Sequence, residues 1–342
     1  MKLLIRADAS AEIGHGHILR MLALAQAWRK RGGHAIFCSV ECPENLSQRV
    51  RKEGFEVCQL ECELIGGGQD LELTKALAND LKADWVVLDG YSFDFDYQRQ
   101  IRNSFVKLLV VDDFRFEQSF DADVLLNCSP IVTEEDYRCC KSKSTMLLGI
   151  DYCLLREEFW SIKKDENPNG DSSLNVLVVF GGTDPYGLTT TVFRFLNKLA
   201  FPELHFRVLT LRTNTHYHTL TEEVARSSLK AEICTDVTVM VEQYEWADAV
   251  ISATGGMTWE WMRFGLQAAT VPVAENQMSL SNYLHENGFS QVFGRRNGSN
   301  IEIDFQVLER WISGLSSSKI NRSLPEVDGQ GALRVVDFML GL

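Results

Sequence analysis

The chain is short of positive charge. Lys and Arg number 34 against 47 Asp and Glu, a net charge of −13. That balance argues against a nucleic-acid partner and against a broad contact with an anionic membrane, since both need a basic face. An anionic small molecule is still allowed, because glycines and helix ends hold phosphate through backbone N–H groups. No run of about 20 apolar residues occurs, so no membrane-spanning helix is expected. The opening MKLLI is too short for a signal peptide and has no cleavage pattern after it. Cysteine is present nine times but scattered, an odd number in a chain that is not small, so a disulfide framework is not expected. Cys38/Cys42 and Cys58/Cys62 share a four-residue step, yet partners spaced to complete a zinc site are missing. No metal and no cofactor are expected. The reading is a soluble cytoplasmic protein whose oligomeric state the sequence does not set, a monomer being compatible with it.

What is present is an alternation of short apolar runs and amphipathic stretches. At 342 residues the chain suits two domains. Strands are predicted at 2–6, 34–39, 85–89 and 107–112, with helices at 17–31, 44–53, 70–81 and 95–103. WVVLD and KLLVVDD are apolar and end in acids, as buried parallel strands do when their carboxyl ends face a binding site. The polar SIKKDENPNGDSSL then reads as a linker. A second series follows: strands at 175–180, 205–211, 249–252 and 269–273, helices at 188–199 and 218–228, and a helix opening at Trp259-Glu260. GALRVVDFMLGL suggests a final helix. The expected fold is α/β, two Rossmann-like doubly wound domains facing a cleft: 1–160, 170–325 and a terminal helix at 326–342.

Three loops carry candidate chemistry. The first is Gly14-His15-Gly16-His17 between a strand and a helix. It places His17 at the positive end of a helix dipole, which opposes a second proton and favours a neutral imidazole able to act as a base. A plain helix-cap histidine is the other reading. His15 and His17, two apart, do not share a helix face, which argues against a metal pair. Arg20 either holds a phosphate or carboxylate or is a surface charge. Asp8 either orients His17 or caps the loop. Asp89 and Asp112-Asp113 either face the cleft or cap helices.

The second loop, Gly181-Gly182-Thr183-Asp184, is neither a Walker loop nor a GxGxxG fingerprint, so ATP and dinucleotides lose support. It is a tight turn or an anion site. The third, Thr254-Gly255-Gly256-Met257-Thr258, repeats that arrangement, with Glu260 in the first helical turn. Glu260 either accepts ribose hydroxyls or complements the dipole. Asn276-Gln277 after the next strand suit sugar hydroxyls or cap a loop.

RADAS, GHGHILR, FGGTDP, GGMTWE and ENQ, in this order, resemble the UDP-sugar hydrolase family of the pseudaminic acid pathway. DGY at 89–91, VVDD at 110–113, GIDYCLLREEF at 149–159 and VDGQGALRVV near the end extend the likeness over nearly the whole chain. The resemblance implies a glycosyltransferase-B-like fold, similar to the peptidoglycan transferase that adds N-acetylglucosamine to a lipid carrier. UDP would lie on the C-terminal half and the sugar in the cleft. The implied reaction is inverting hydrolysis of a UDP-linked 2,4-diacetamido-2,4,6-trideoxy sugar. By the same likeness His17 is the catalytic histidine, Glu260 takes the ribose hydroxyls, Asn276 and Gln277 lie near sugar and phosphates, and Met240 lies near the uracil. The expected substrate-binding set is Asp8, Gly14, Gly16, Arg20, Tyr91, Gly182, Thr183, Asp184, Met240, Gly255, Gly256, Met257, Thr258, Glu260, Asn276 and Gln277. The chain departs from the family at Gly90, where the motif usually reads Asp-His-Tyr, and in its shifted GGMT turn. A glycosyltransferase using the same UDP half, or a non-catalytic nucleotide-sugar binder, are the rival readings.

Overall fold

Alternation with a period of two, apolar at every position, governs the first half. Leu3 and Ile5 pack on one face of their strand and Leu4 on the other, as do Trp85 and Val87 against Val86 and Leu88. A strand buried on both faces needs helices above and below it, which is the doubly wound arrangement. The computed structural model describes residues 1–10, 12–104, 106–113, 119–137, 144–162, 173–199, 201–315 and 327–341. They form two compact units, Met1–Trp160 with Asp328–Leu342, and Ser161–Val327.

The first unit runs β1 (Lys2–Ala7), α1 (Gly16–Lys30), β2 (His34–Ser39), α2 (Glu44–Lys52), β3 (Glu56–Gln59), α3 (Gly68–Leu81), β4 (Trp85–Asp89), α4 (Phe95–Arg102), β5 (Lys107–Val111), β6 (Val124–Asn127) and β7 (Thr145–Leu148). Its seven strands are all parallel, in the order β3-β2-β1-β4-β5-β6-β7. The order reverses between β1 and β4, and such a switch point opens a crevice at the strands' carboxyl ends.

The second unit runs β8 (Leu174–Val179), α5 (Leu188–Leu199), β9 (Leu204–Thr210), α6 (Tyr217–Ala225), β10 (Lys230–Thr235), α7 (Val241–Trp246), β11 (Ala249–Thr254), α8 (Met257–Arg263), β12 (Gln267–Pro272), α9 (Met278–Glu286) and β13 (Gln291–Val292). An antiparallel hairpin, β14 (Gly294–Asn297) and β15 (Asn300–Ile303), and α10 (Phe305–Leu315) complete it. The main sheet, β10-β9-β8-β11-β12-β13, is parallel, with its switch point between β8 and β11.

The last helix, α11 (Gly331–Leu340), belongs to the first unit. Ala332, Val335, Val336 and Met339 enter the core that also holds Leu22, Ala25 and Trp28 of α1. Arg31 and Asp337 tie the two helices at 2.6 Å.

Several elements differ from the sequence reading. The strand expected at 107–112 ends at Val111, leaving Asp112 and Asp113 beyond the ladder. The helix expected to open at Trp259 begins at Met257. β3, β6, β7, β10, β13, the hairpin and α10 were not anticipated. Most of the expected linker, 163–172, lies outside the described residues. Among the described residues no helix is long and apolar enough to cross a membrane.

Candidate functional site

The loop after β1 is built around Ser10. Its hydroxyl accepts from the N–H groups of Glu12 and Ile13, and its carbonyl accepts from Gly14 at 2.9 Å. Gly14 sits at φ +81°, a conformation that favours glycine. The chain then enters α1 at Gly16, where a side chain would meet open space. His17 therefore falls in the first helical turn, buried at 6% exposure.

Across the switch point, Asp89 closes β4. Its Oδ1 lies 2.6 Å from His17 Nδ1. A carboxylate accepts only, so Nδ1 carries the hydrogen and Nε2 is the nitrogen that Asp89 leaves unengaged. Arg20, one turn after His17, donates through Nε to Asp89 Oδ2 at 2.6 Å and through Nη1 to Asp113 Oδ1 at 2.7 Å. Its Nη2 serves both carboxylates, at 2.5 Å and 2.8 Å. Burial pushes both carboxyls up, but Arg20 outweighs it and holds Asp89 and Asp113 below the usual carboxylate range. Tyr91 completes the group. Its hydroxyl donates to Asp113 at 3.0 Å and its ring meets His17 edge-on at 5.1 Å. Burial and the Asp113 charge raise its phenol well above the ordinary value.

One expectation needs correction. Asp8 does not orient His17. One of its oxygens takes Arg6 at 2.6 Å, and the other accepts from the N–H groups of Val40 and Glu41. Arg6 is fully buried and gripped on its far side by Asp70, so Asp8 is spent on fixing the end of β2. Arg20 takes the carboxylate alternative, since two internal carboxylates engage all its nitrogens. The orienting carboxylate is Asp89, 72 residues away in sequence, and only the strand order β1-β4 reveals the pairing. Asp112 points elsewhere, accepting from Tyr137 at 2.6 Å.

In the second unit the turn after β8 is held by two residues. Asp184, at φ +33° and 3% exposed, accepts from the N–H groups of Leu188 and Thr189 at 2.9 Å each. It is a cap for α5, and burial raises its carboxyl above the usual range. Asn214, not singled out in the sequence, donates to the carbonyls of Gly182 and Thr183. Next door at the end of β11, the Thr258 hydroxyl accepts from Gly255 N–H at 3.2 Å. That N–H is thereby engaged within the chain. Gly256 is the N-cap of α8, with open space where a side chain would stand. Gln277 joins β12 to this turn: its Oε1 accepts from Val273 N–H at 2.8 Å, and its amide nitrogen would lie 3.2 Å from a Cβ on Gly255. Asn276 precedes it in a 3₁₀ turn, Glu275–Gln277. Glu260, 8% exposed, accepts from the Tyr244 hydroxyl at 3.1 Å. Met240 stands at the N-cap of α7, three residues before Gln243 and four before Tyr244. The fold thus gathers Gly182, Thr183 and Asp184 at one strand end and Gly255, Gly256, Met257, Thr258 and Gln277 at the adjacent one. Among the described residues no group of three or more His, Cys, Asp or Glu is arranged to hold a metal ion.

Residues 176–319 match the glycosyltransferase family 28 C-terminal domain. The chain is 27% identical over 277 residues to an uncharacterized protein of Methanocaldococcus jannaschii, an alignment covering 78% of the chain and 54% of that protein. It is 28% identical over 200 residues to the UDP-2,4-diacetamido-2,4,6-trideoxy-beta-L-altropyranose hydrolase of Campylobacter jejuni, covering 58% of the chain and 66% of the hydrolase. The chain therefore spans between half and two thirds of the length of these curated relatives. Among solved structures it is similar to MurG of Acinetobacter baumannii, with a TM-score of 0.64 and 16% identity over 100% of the chain and 99% of MurG. Two Rossmann-like parallel sheets flanked by helices, over a whole-chain likeness of this kind, make the fold GT-B-like.

Proposed function

We propose that the chain hydrolyses a UDP-linked 2,4-diacetamido-2,4,6-trideoxy sugar to UDP and the free sugar, a step of nonulosonic acid synthesis. The observation that carries the reading is the His17–Asp89 contact at the switch point of the first unit. It fixes the tautomer in which Nε2 accepts a proton. A water oxygen attacks the anomeric carbon, its proton passes to Nε2, and the bond from that carbon to the β-phosphate oxygen breaks with inversion. UDP departs with the electron pair. A general base of this kind contributes about 10²–10⁴-fold. On this reading Glu260 takes the ribose hydroxyls. On the same reading the N–H groups of 182–184 and 256–257 face the diphosphate, where fixed dipoles stabilise charge that develops as it leaves. The N–H groups of Gly255 and Thr258 are left out of that set because each is engaged by the other residue, the first by the Thr258 hydroxyl and the second by the Gly255 carbonyl. The kinship with the Campylobacter hydrolase supports the substrate class.

The match of 176–319 to a glycosyltransferase domain favours a second reading, in which an acceptor hydroxyl replaces water. The two separate in one experiment. Purified protein is incubated with a panel of UDP-deoxyamino sugars and no acceptor, and UDP is assayed. Hydrolysis predicts UDP release that collapses in His17→Ala while UDP binding persists. Release only on adding an acceptor supports the transferase, and unchanged turnover in the variant removes His17 from the mechanism.

A further inference from the structure

Cys128 follows the last residue of β6, and Cys153 closes the 3₁₀ turn Ile150–Tyr152 that follows β7. Parallel pairing brings the two segments together: Asn127 registers with Leu148, and Gly149 N–H donates to the Asn127 carbonyl at 2.9 Å. The Cys153 thiol donates to the Cys128 carbonyl at 3.8 Å, which brings the two cysteines side by side. The positions differ in access. Cys128 is half-buried, whereas Cys153 is 1% exposed. They differ in acidity as well. The Cys153 contact draws the Cys128 thiol below its ordinary value, and Arg20 draws it the same way, while burial holds Cys153 well above. A half-buried cysteine beside a fully buried one is the arrangement of a peroxide-reacting thiol and a resolving thiol.

We propose that Cys128 and Cys153 are a reversible redox pair that hydrogen peroxide closes to a disulfide. The Cys128 thiolate attacks a peroxide oxygen, the O–O bond breaks, and hydroxide leaves, giving a sulfenic acid. The Cys153 sulfur then attacks the Cys128 sulfur and expels the sulfenic oxygen as water. Two thiols and one peroxide become one disulfide and two waters. Cys38 and Cys58, in register across β2 and β3, form the internal contrast. Burial raises both thiols, that of Cys38 to about 12, which disfavours the thiolate at either position.

The test needs no substrate. The full-length protein is treated with hydrogen peroxide, alkylated, and digested with trypsin without reductant. Cys128 and Cys153 fall in separate peptides, 116–138 and 144–156, each with a single cysteine. The expected result is these two peptides joined with loss of two hydrogens, separated again by dithiothreitol, and unjoined in Cys128→Ser and in Cys153→Ser. The proposal is overturned if Cys128 pairs with Cys139 or Cys140, if it advances to sulfinic acid while Cys153 stays free, or if both thiols are alkylated after treatment.

Discussion

Asp89 Oδ1 lies 2.6 Å from His17 Nδ1 and also receives Arg20 Nη2 at 2.5 Å, so one carboxylate orients the imidazole and anchors the guanidinium. Replacing Asp89 by Asn tests the first of these roles. The amide presents a donor to Nδ1, the hydrogen moves to Nε2, and the nitrogen assigned to proton transfer is blocked. Turnover of a UDP-sugar should fall roughly 10²–10⁴-fold, the range of a lost general base. UDP affinity in calorimetry should not change. A kcat within a factor of a few of wild type would show that tautomer control at His17 is irrelevant.

Arg20→Met tests the second role. With Arg20 present, Asp89 and Asp113 have folded-state pKa values below the unfolded ones. Their stabilisation is fully present above the unfolded carboxylate value, about 4, and is lost as pH falls through the lower folded values. Without Arg20 burial dominates and the shift reverses. The carboxyls then hold protons more tightly when folded, and stability declines as pH rises above about 4. Removing one partner of a buried ion pair costs about 3–5 kcal/mol. Urea unfolding should show that loss at pH 7 and a smaller one at pH 5. A pH-independent difference would mean that the carboxylates are not held by Arg20.

Most of this fold was legible because its signals are local. The runs WVVLD and KLLVV, bounded by acids, gave their strands from composition and length alone. β3 and β10 were missed because Glu56, Gln59, Lys230 and Glu232 break the apolar run, and only sheet pairing makes them strands. α10 was missed although Leu308, Ile312 and Leu315 share one buried face, a spacing that could have revealed it. At the site, sequence adjacency misled. Asp8 lies nine residues before His17 but is spent on Arg6, while Asp89 reaches His17 only because β1 and β4 are neighbours. A switch point depends on strand order, which no local pattern encodes.

Asp184 lies within the predicted anion loop, yet its geometry is that of a cap. Asp184→Ala removes two hydrogen bonds to α5 and places alanine at φ +33°, where a Cβ is disfavoured. The second unit should lose about 1–2 kcal/mol. Asp184→Asn keeps an acceptor and tolerates that φ, so it should lose less. It should also flatten the pH profile. The Asp184 carboxyl is raised by burial, so it favours the folded state below the unfolded value and loses that contribution as pH climbs through the folded one. Chemical denaturation of both variants at pH 4.5 and 7 checks the order and the slope.

Gly331 begins α11 with no room for a side chain. A Cβ there would stand 2.3 Å from the Cys153 carbonyl oxygen and 2.6 Å from its nitrogen, backbone atoms that cannot step aside. Gly331→Ala should force α11 off its seat at a cost of about 1–3 kcal/mol, typical of overpacking. Hydrogen exchange should then quicken at the amides of 331–340 and along the buried face of α1, while the second unit keeps its protection. Uniform exchange in both units, or none, would contradict the assignment of α11 to the first unit's core.

Tyr244 and Glu260 give the sharpest test of the nucleotide reading, because it separates a ribose contact from simple packing. The Tyr244 hydroxyl donates to Glu260 Oε2 at 3.1 Å, and the Tyr244 ring lies 5.6 Å from that of Phe264. Tyr244→Phe keeps the ring and deletes only the donor that holds the carboxylate. If Glu260 receives the ribose hydroxyls, UDP binding should weaken by about 1–2 kcal/mol, a factor of roughly 5–30. UDP lacking both ribose hydroxyls already forgoes that contact, so its weaker affinity should be the same in wild type and variant. Equal losses for the two ligands would make Tyr244 a packing residue alone. The absence of measurable UDP binding in the wild type would instead remove the premise that the second unit binds this nucleotide.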